Sequence, residues 1–171
     1  EGAQEKIEGF NFDSRRNVLE FDDVLNHQRS AVYSRRYKLL IGGVLESQEV
    51  LEEMISVSGN EKIREEVEKK KKEIGENNFY GAIRMLILQV IDLFWVDHLE
   101  AMDHLRGSVN LRAYGQRDPL SEYKREGLRL FRDMQGAIDA QVLDLIPKMG
   151  LTVAPPEQER LLETRQNVKS I

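Results

Sequence analysis

An all-α fold is predicted for the 171-residue chain by three observations. Apolar residues recur at helical spacing through every long segment. The first 118 residues contain no proline, so long helices can run there uninterrupted. Two matched amphipathic stretches flank an Asp118-Pro119 start signal, the pattern of a helical hairpin that presents a loop at its tip.

The elements follow in order. Val18, Leu25, Val32 and Leu39 are spaced by sevens, with Phe21, Gln28 and Arg35 or Arg36 between them. They mark one face of a long helix from about Asp13 to Leu40. Its second half is only partly apolar, which predicts different neighbours along its length. Gly42-Gly43 ends it, supplying a left-handed cap and a joint. Val44 to Val57 reads as a short helix with Val50, Leu51, Met54 and Ile55 inward, and Ser58-Gly59-Asn60 as a turn. Glu61 to Ile74 is a highly charged helix with Ile63, Val67 and Ile74 as its apolar contacts. Its Lys69 to Lys72 run lies among Glu65, Glu66, Glu68 and Glu73, so it reads as a solvated, ion-paired face rather than a phosphate patch.

Asn77-Asn78 offers a cap for a helix starting near Phe79. Ile83, Ile87, Val90, Phe94, His98, Met102 and Leu105 then follow a 3.6-residue period, and Leu86, Ile91 and Trp95 widen the stripe. Gly107-Ser108 is expected to loosen this helix into a loop reaching Asp118. Beyond it, Tyr123, Gly127, Phe131, Met134, Ile138, Val142 and Leu145 form the inner face of a return helix. Pro147 ends that helix, Gly150 caps its exit, and a polar tail follows. Each hairpin helix is expected to run about 26 residues, or about 40 Å at 1.5 Å per residue.

Composition narrows the functional classes. A net charge of −5 leaves no excess of cations to neutralise phosphates, against a general nucleic-acid binder. No cysteine is present, which removes disulfides, thiol catalysis and cysteine-ligated zinc and fits a reducing compartment. Residues 1–16 are polar and do not resemble a secretory signal. The apolar run Met85 to Val96 is broken by Gln89 and Asp92 and falls short of the ~20 residues of a membrane span. There is no Gly-x-x-x-x-Gly-Lys-Ser/Thr, Gly-x-Ser-x-Gly or His-Glu-x-x-His run, so no nucleotide or catalytic site is expected in this chain. His98 and His104, six apart, fall on different helix faces and make a poor metal pair, and Glu20, Asp22 and Asp23 read as an ion-pairing surface. The loop is the exception. Arg106, Arg112 and Arg117 surround Tyr114, with Asn110, Gln116 and Leu111 beside it, a set suited to adaptable contact with polypeptide. The same groups would also stack on single-stranded nucleic acid, which is the alternative function: a helical interaction module with a basic loop.

Two signatures are similar to one family. Asn11-Phe12-Asp13-Ser14-Arg15-Arg16, Val18-Leu19-Glu20-Phe21-Asp22-Asp23-Val24-Leu25-Asn26-His27-Gln28-Arg29 and Tyr33-Ser34-Arg35-Arg36 resemble the long scaffold helix of SecA, the bacterial preprotein translocase motors. Trp95, His98-Leu99, Met102-Asp103, Leu105-Arg106, Leu111-Arg112, Tyr114, Gln116, Asp118-Pro119 and Glu122 to Glu126 resemble its two-helix finger. The resemblance implies four parts: a scaffold helix over 1–40, a shortened wing over 41–78, the finger over 79–150 and a linker over 151–171. It implies that Tyr114, with Leu111, Arg112 and Gln116, contacts the translocating polypeptide and the SecY channel. It implies that Arg15, Arg16, Asp22 and Asp23 dock the motor domains of the same parent chain. ATP and Mg would be bound by the parent, with no cofactor or metal in this chain and an anionic membrane surface among the parent's partners. The implied location is cytoplasmic, peripheral to the inner membrane. Residues 41–78 are too few for the family's usual wing, and its cysteine-rich zinc tail is missing.

Overall fold

The computed structural model describes residues 2–112 and 118–149. These form five α-helices: α1 (Gly2–Ile41), α2 (Gly43–Ser58), α3 (Glu61–Ile74), α4 (Glu76–Arg112) and α5 (Pro119–Leu145). A 3-10 turn, Ile146–Lys148, closes the described chain, and no strand occurs among the described residues. The all-α expectation holds.

Two helices begin earlier than the sequence reading places them. The first helix begins at Gly2 instead of near Asp13. The fourth begins at Glu76 instead of Phe79, because Gly75 is where α3 stops: its carbonyl accepts the Phe79 N–H at 2.9 Å. Asn77 and Asn78 therefore lie inside the first turn, and the Asn78 amide reaches the Ile74 carbonyl at 3.4 Å. Gly43, at φ +70, makes the α1–α2 joint in the left-handed region that glycine adopts without a Cβ penalty. Gly59, at φ +61, closes α2, and the Asn60 side chain caps α3 by accepting from the Lys62 N–H.

The largest interface joins α4 to α5, which lie antiparallel. Helix α1 runs alongside both, antiparallel to α4 and parallel to α5, since its pairing partners fall from Arg106 to Asp92 and rise from Gly127 to Asp139 along its length. The main core collects Leu39, Leu51, Met54, Ile55, Val67, Phe79, Ile83, Ile87, Ile91, Trp95, Met134, Ile138 and Val142. A second, smaller core nearer the tip holds Met102, Leu105, Val109 and Tyr123, packed by Phe21 and Val24. Helix α3 packs across α4 and the 3-10 turn, where Ile146 is fully buried. Two of its lysines are ion-paired, Lys70 to Glu73 at 3.1 Å and Lys71 to Glu76 at 2.9 Å.

Helix α4 is long and apolar enough to cross a membrane, over Glu76–Val109, a wider stretch than Met85 to Val96. Its apolar residues are shared between two faces. Ile83, Ile87, Val90, Ile91 and Trp95 are buried against other helices, while Met85, Leu93 and Val96 are exposed.

Candidate functional site

The hairpin tip is built differently from the expected dozen-residue loop. Helix α4 continues through Gly107 and Ser108 to Arg112. A glycine in a helix interior costs about 1 kcal/mol relative to alanine, and the buried side chains of Leu105 and Val109, seated against Tyr123, hold the turns together. The Ser108 hydroxyl donates back to the Leu105 carbonyl at 2.9 Å, satisfying itself within the helix. On the other side Asp118 caps α5, accepting from the Ser121 N–H at 2.9 Å and the Ser121 hydroxyl at 2.6 Å. Those two bonds hold the Asp118 carboxyl below the usual carboxylate range. Pro119 occupies the first helical position, as the Asp-Pro pair predicts.

Leu111 thus stands on the last turn of α4 and not in a loop, with its side chain 75% exposed. Arg112 ends that helix, its side chain outside the described set, and Tyr114, Gln116 and Arg117 lie outside the described residues. Arg106 is held against α1. Its guanidinium donates to Asp22 at 3.0 Å and sits 5.5 Å from the Phe21 ring centre, bracing the hairpin against α1. Phe21 in turn packs on Tyr123 at 4.8 Å. Asp22, expected as an outward docking group, therefore has a partner within the chain, although its side chain stays about half exposed.

Below Phe21 the long helix is bare. Every residue from Gly2 to Leu19 whose side chain is described is exposed, including Ile7, Phe12 (66%), Arg15, Arg16, Val18 and Leu19. Arg16 pairs only locally, with Glu20 at 3.2 Å, and Asp23 is exposed. A second exposed apolar surface lies between α1 and α4. Val32, Tyr33, Tyr37, Leu40, Trp95 and Val96 line a groove of about 410 Å³, with the bidentate Arg36–Asp92 pair (2.8 and 3.0 Å) in its wall. That pair raises the Arg36 pKa, first through the hydrogen bond and then through charge.

One arrangement was not foreseen. Gln28 and His98 are both buried, and His98 Nε2 lies 2.8 Å from Gln28 Oε1. Gln28 Nε2 donates to the Gly127 carbonyl at 3.1 Å, so a single amide joins α1, α4 and α5. His98 is flanked by Trp95 and Phe131 at ring-centre distances of 5.6 and 5.7 Å, and burial lowers its pKa. The signal was the polar Gln28 standing on the seven-residue stripe of α1, together with a histidine on the apolar face of α4. His104 is exposed, so the two histidines form no common site.

Comparison with known proteins fixes the family. The model of the SecA wing and scaffold domain matches residues 1–63 and 55–150. The chain belongs to this family. The protein translocase subunit SecA of Halothermothrix orenii is 35% identical over 192 residues, covering 84% of this chain and 23% of that protein. Those of Carboxydothermus hydrogenoformans and Heliobacterium modesticaldum are 31% and 30% identical, covering 98% and 90% of this chain and 25% and 24% of theirs. The chain therefore spans about a quarter of the length of these SecA relatives. The Carboxydothermus alignment runs to 218 residues, longer than the whole 171-residue chain, so the SecA relative carries residues that this chain lacks. The two matched family segments meet at 55–63, around the Ser58-Gly59-Asn60 turn between α2 and α3.

Proposed function

We propose that this chain is the scaffold and two-helix finger of a SecA preprotein translocase. In this reading α1 is a strut whose first half docks the motor domains of the same parent chain. The α4–α5 hairpin carries residues 113–117, with Tyr114, toward the unfolded preprotein and the SecY channel. Nucleotide-driven motion of the motor would reach the tip through α1. The parent would bind ATP and Mg and work in the cytoplasm at the inner membrane, with anionic lipid among its contacts, while the fragment alone would not hydrolyse ATP.

The observation that carries the reading is the brace near the tip. Phe21 and Asp22 hold Tyr123 and Arg106, so the end of the hairpin is fixed to the long helix at the point where that helix becomes bare. A strut free on one side of a joint and packed on the other is arranged to pass displacement to the hairpin. Arg15, Arg16 and Asp23 on the bare segment, with Asp22 at its edge, are the docking groups in this reading. Leu111, Arg112 and Gln116 would flank Tyr114 in contact with the polypeptide.

The wing would be the α2–α3 pair, joined directly by the Ser58-Gly59-Asn60 turn. Support comes from the properly capped turn at Gly59 and Asn60 and from the burial of Leu51, Met54, Ile55 and Val67 against the rest of the chain. The reading is tested by placing a photo-crosslinking residue at position 114 of the full parent protein and stalling a preprotein in transit. Adducts with the preprotein that need ATP and the channel are expected. Adducts that form equally well without either would refute it.

A further inference from the structure

We infer that Gln28 is a positioning residue that sets the register of the long helix against the hairpin, with His98 as its receiver. This goes beyond the transport reading and concerns the chain by itself.

The rest of the interface leaves the register of α1 weakly specified. Val18, Leu25, Val32 and Leu39 repeat every seven residues, so a shift of α1 by one repeat presents an equivalent apolar stripe. Apolar burial is non-directional and distinguishes such registers weakly. The flanking pairs Asp22–Arg106, Arg35–Asp139 and Arg36–Asp92 are partly or largely exposed and use long, flexible arginines that can find other carboxylates. The Gln28 amide behaves otherwise. Its nitrogen faces the Gly127 carbonyl, which can only accept, so its oxygen faces His98 and the His98 nitrogen must donate. The tautomer of His98 is thereby fixed as Nε2–H. Moving α1 by seven residues would bring Phe21 or Arg35 to this point. Phe21 would leave a buried N–H without an acceptor, and Arg35 would face it with a second donor. A single buried polar residue in an apolar seam is a known way to select one register at some cost in stability. The node also stands between the two apolar cores, with Trp95 and Phe131 on one side and Met102 and Tyr123 on the other. Among the described residues, the remaining buried polar side chain, Ser47, bonds only to its own helix.

The test uses this 171-residue chain, whose lack of cysteine allows clean labelling. Spin labels at Leu19→Cys on α1 and Arg132→Cys on α5, both exposed and offset along the axis, report the register as a distance distribution. The double variant Gln28→Leu/His98→Leu removes the node without leaving a polar group unpaired, so it should stay folded. Its distribution is expected to broaden or to gain a population displaced along the axis by one seven-residue repeat, about two helical turns or roughly 10 Å. His98→Gln keeps a donor for Gln28 and is expected to restore the single narrow distance. In the wild-type chain, nitrogen-15 spectra should show His98 as the Nε2–H tautomer. An unchanged distance distribution in a folded double variant, or His98 found as the Nδ1–H tautomer, overturns the inference. So does His98→Gln behaving like the double variant. None of these results bears on contact at position 114, which is read separately by crosslinking.

Discussion

Two neighbouring positions on α4 separate the face that holds the fold from the face that does not. Ile91 is 1% exposed and Leu93 is 61% exposed, two residues apart on the same helix. Ile91→Ala removes three carbons from a filled site, about 2.4 kcal/mol at roughly 0.8 kcal/mol per buried methylene. The residual cavity adds to this, bringing the loss to about 3–4 kcal/mol, within the usual range for such truncations. For a chain of this size that corresponds to a fall in melting temperature of roughly 6–16 °C. Leu93→Asp replaces an exposed leucine with a charge and should change stability by no more than about 0.5 kcal/mol. Circular dichroism melts of the two variants beside the wild type make the comparison. Equal destabilisation would mean that Leu93 is covered within the chain and that the two-faced description of α4 is wrong.

Two further outcomes follow from local chemistry. Burial lowers the pKa of His98 below its ordinary value near 6.5. The unfolded chain then takes up a proton that the folded chain refuses, so the His98 contribution is complete above pH 6.5 and is lost on acidification toward the lowered pKa. The slope from this residue is at most about 1.4 kcal/mol per pH unit, and urea midpoints from pH 7.5 to 5 should fall less steeply in His98→Gln than in the wild type. Identical profiles would contradict the buried, neutral histidine. Asp118→Ala removes both bonds to Ser121 and should speed amide hydrogen exchange in the first turn of α5 while leaving residues 131–142 protected. Exchange spreading along the whole helix would show that the cap does more than hold the tip.

The helices were legible because their apolar periods are long and their punctuation is strong. Asp118-Pro119, Gly42-Gly43 and the Ser58-Gly59-Asn60 turn each act within a few residues, where sequence reading is most direct. The ends of α4 were misread for the opposite reason. Asn77-Asn78 looked like a cap, but Gly75 had already ended α3, and Gly107-Ser108 looked like a break that the burial of Val109 overrides. Such tertiary compensation is invisible in a single segment. The site shows the same division. Leu111 reads from sequence as a contact residue of the loop and stands exposed on the last turn of α4, whereas the pairing of Arg106 with Asp22 depends on a helix 84 residues away. Gln28 and His98 each stood on an apolar stripe, yet nothing local joins residues 70 apart.

In the proposed function, position 114 is the point of contact with the polypeptide. The direct measurement is Tyr114→Ala in the full parent protein, reading preprotein transport into membrane vesicles and basal ATP turnover side by side. A hairpin that works on the polypeptide through its tip predicts that transport falls by an order of magnitude while basal turnover is preserved. Undiminished transport would contradict it.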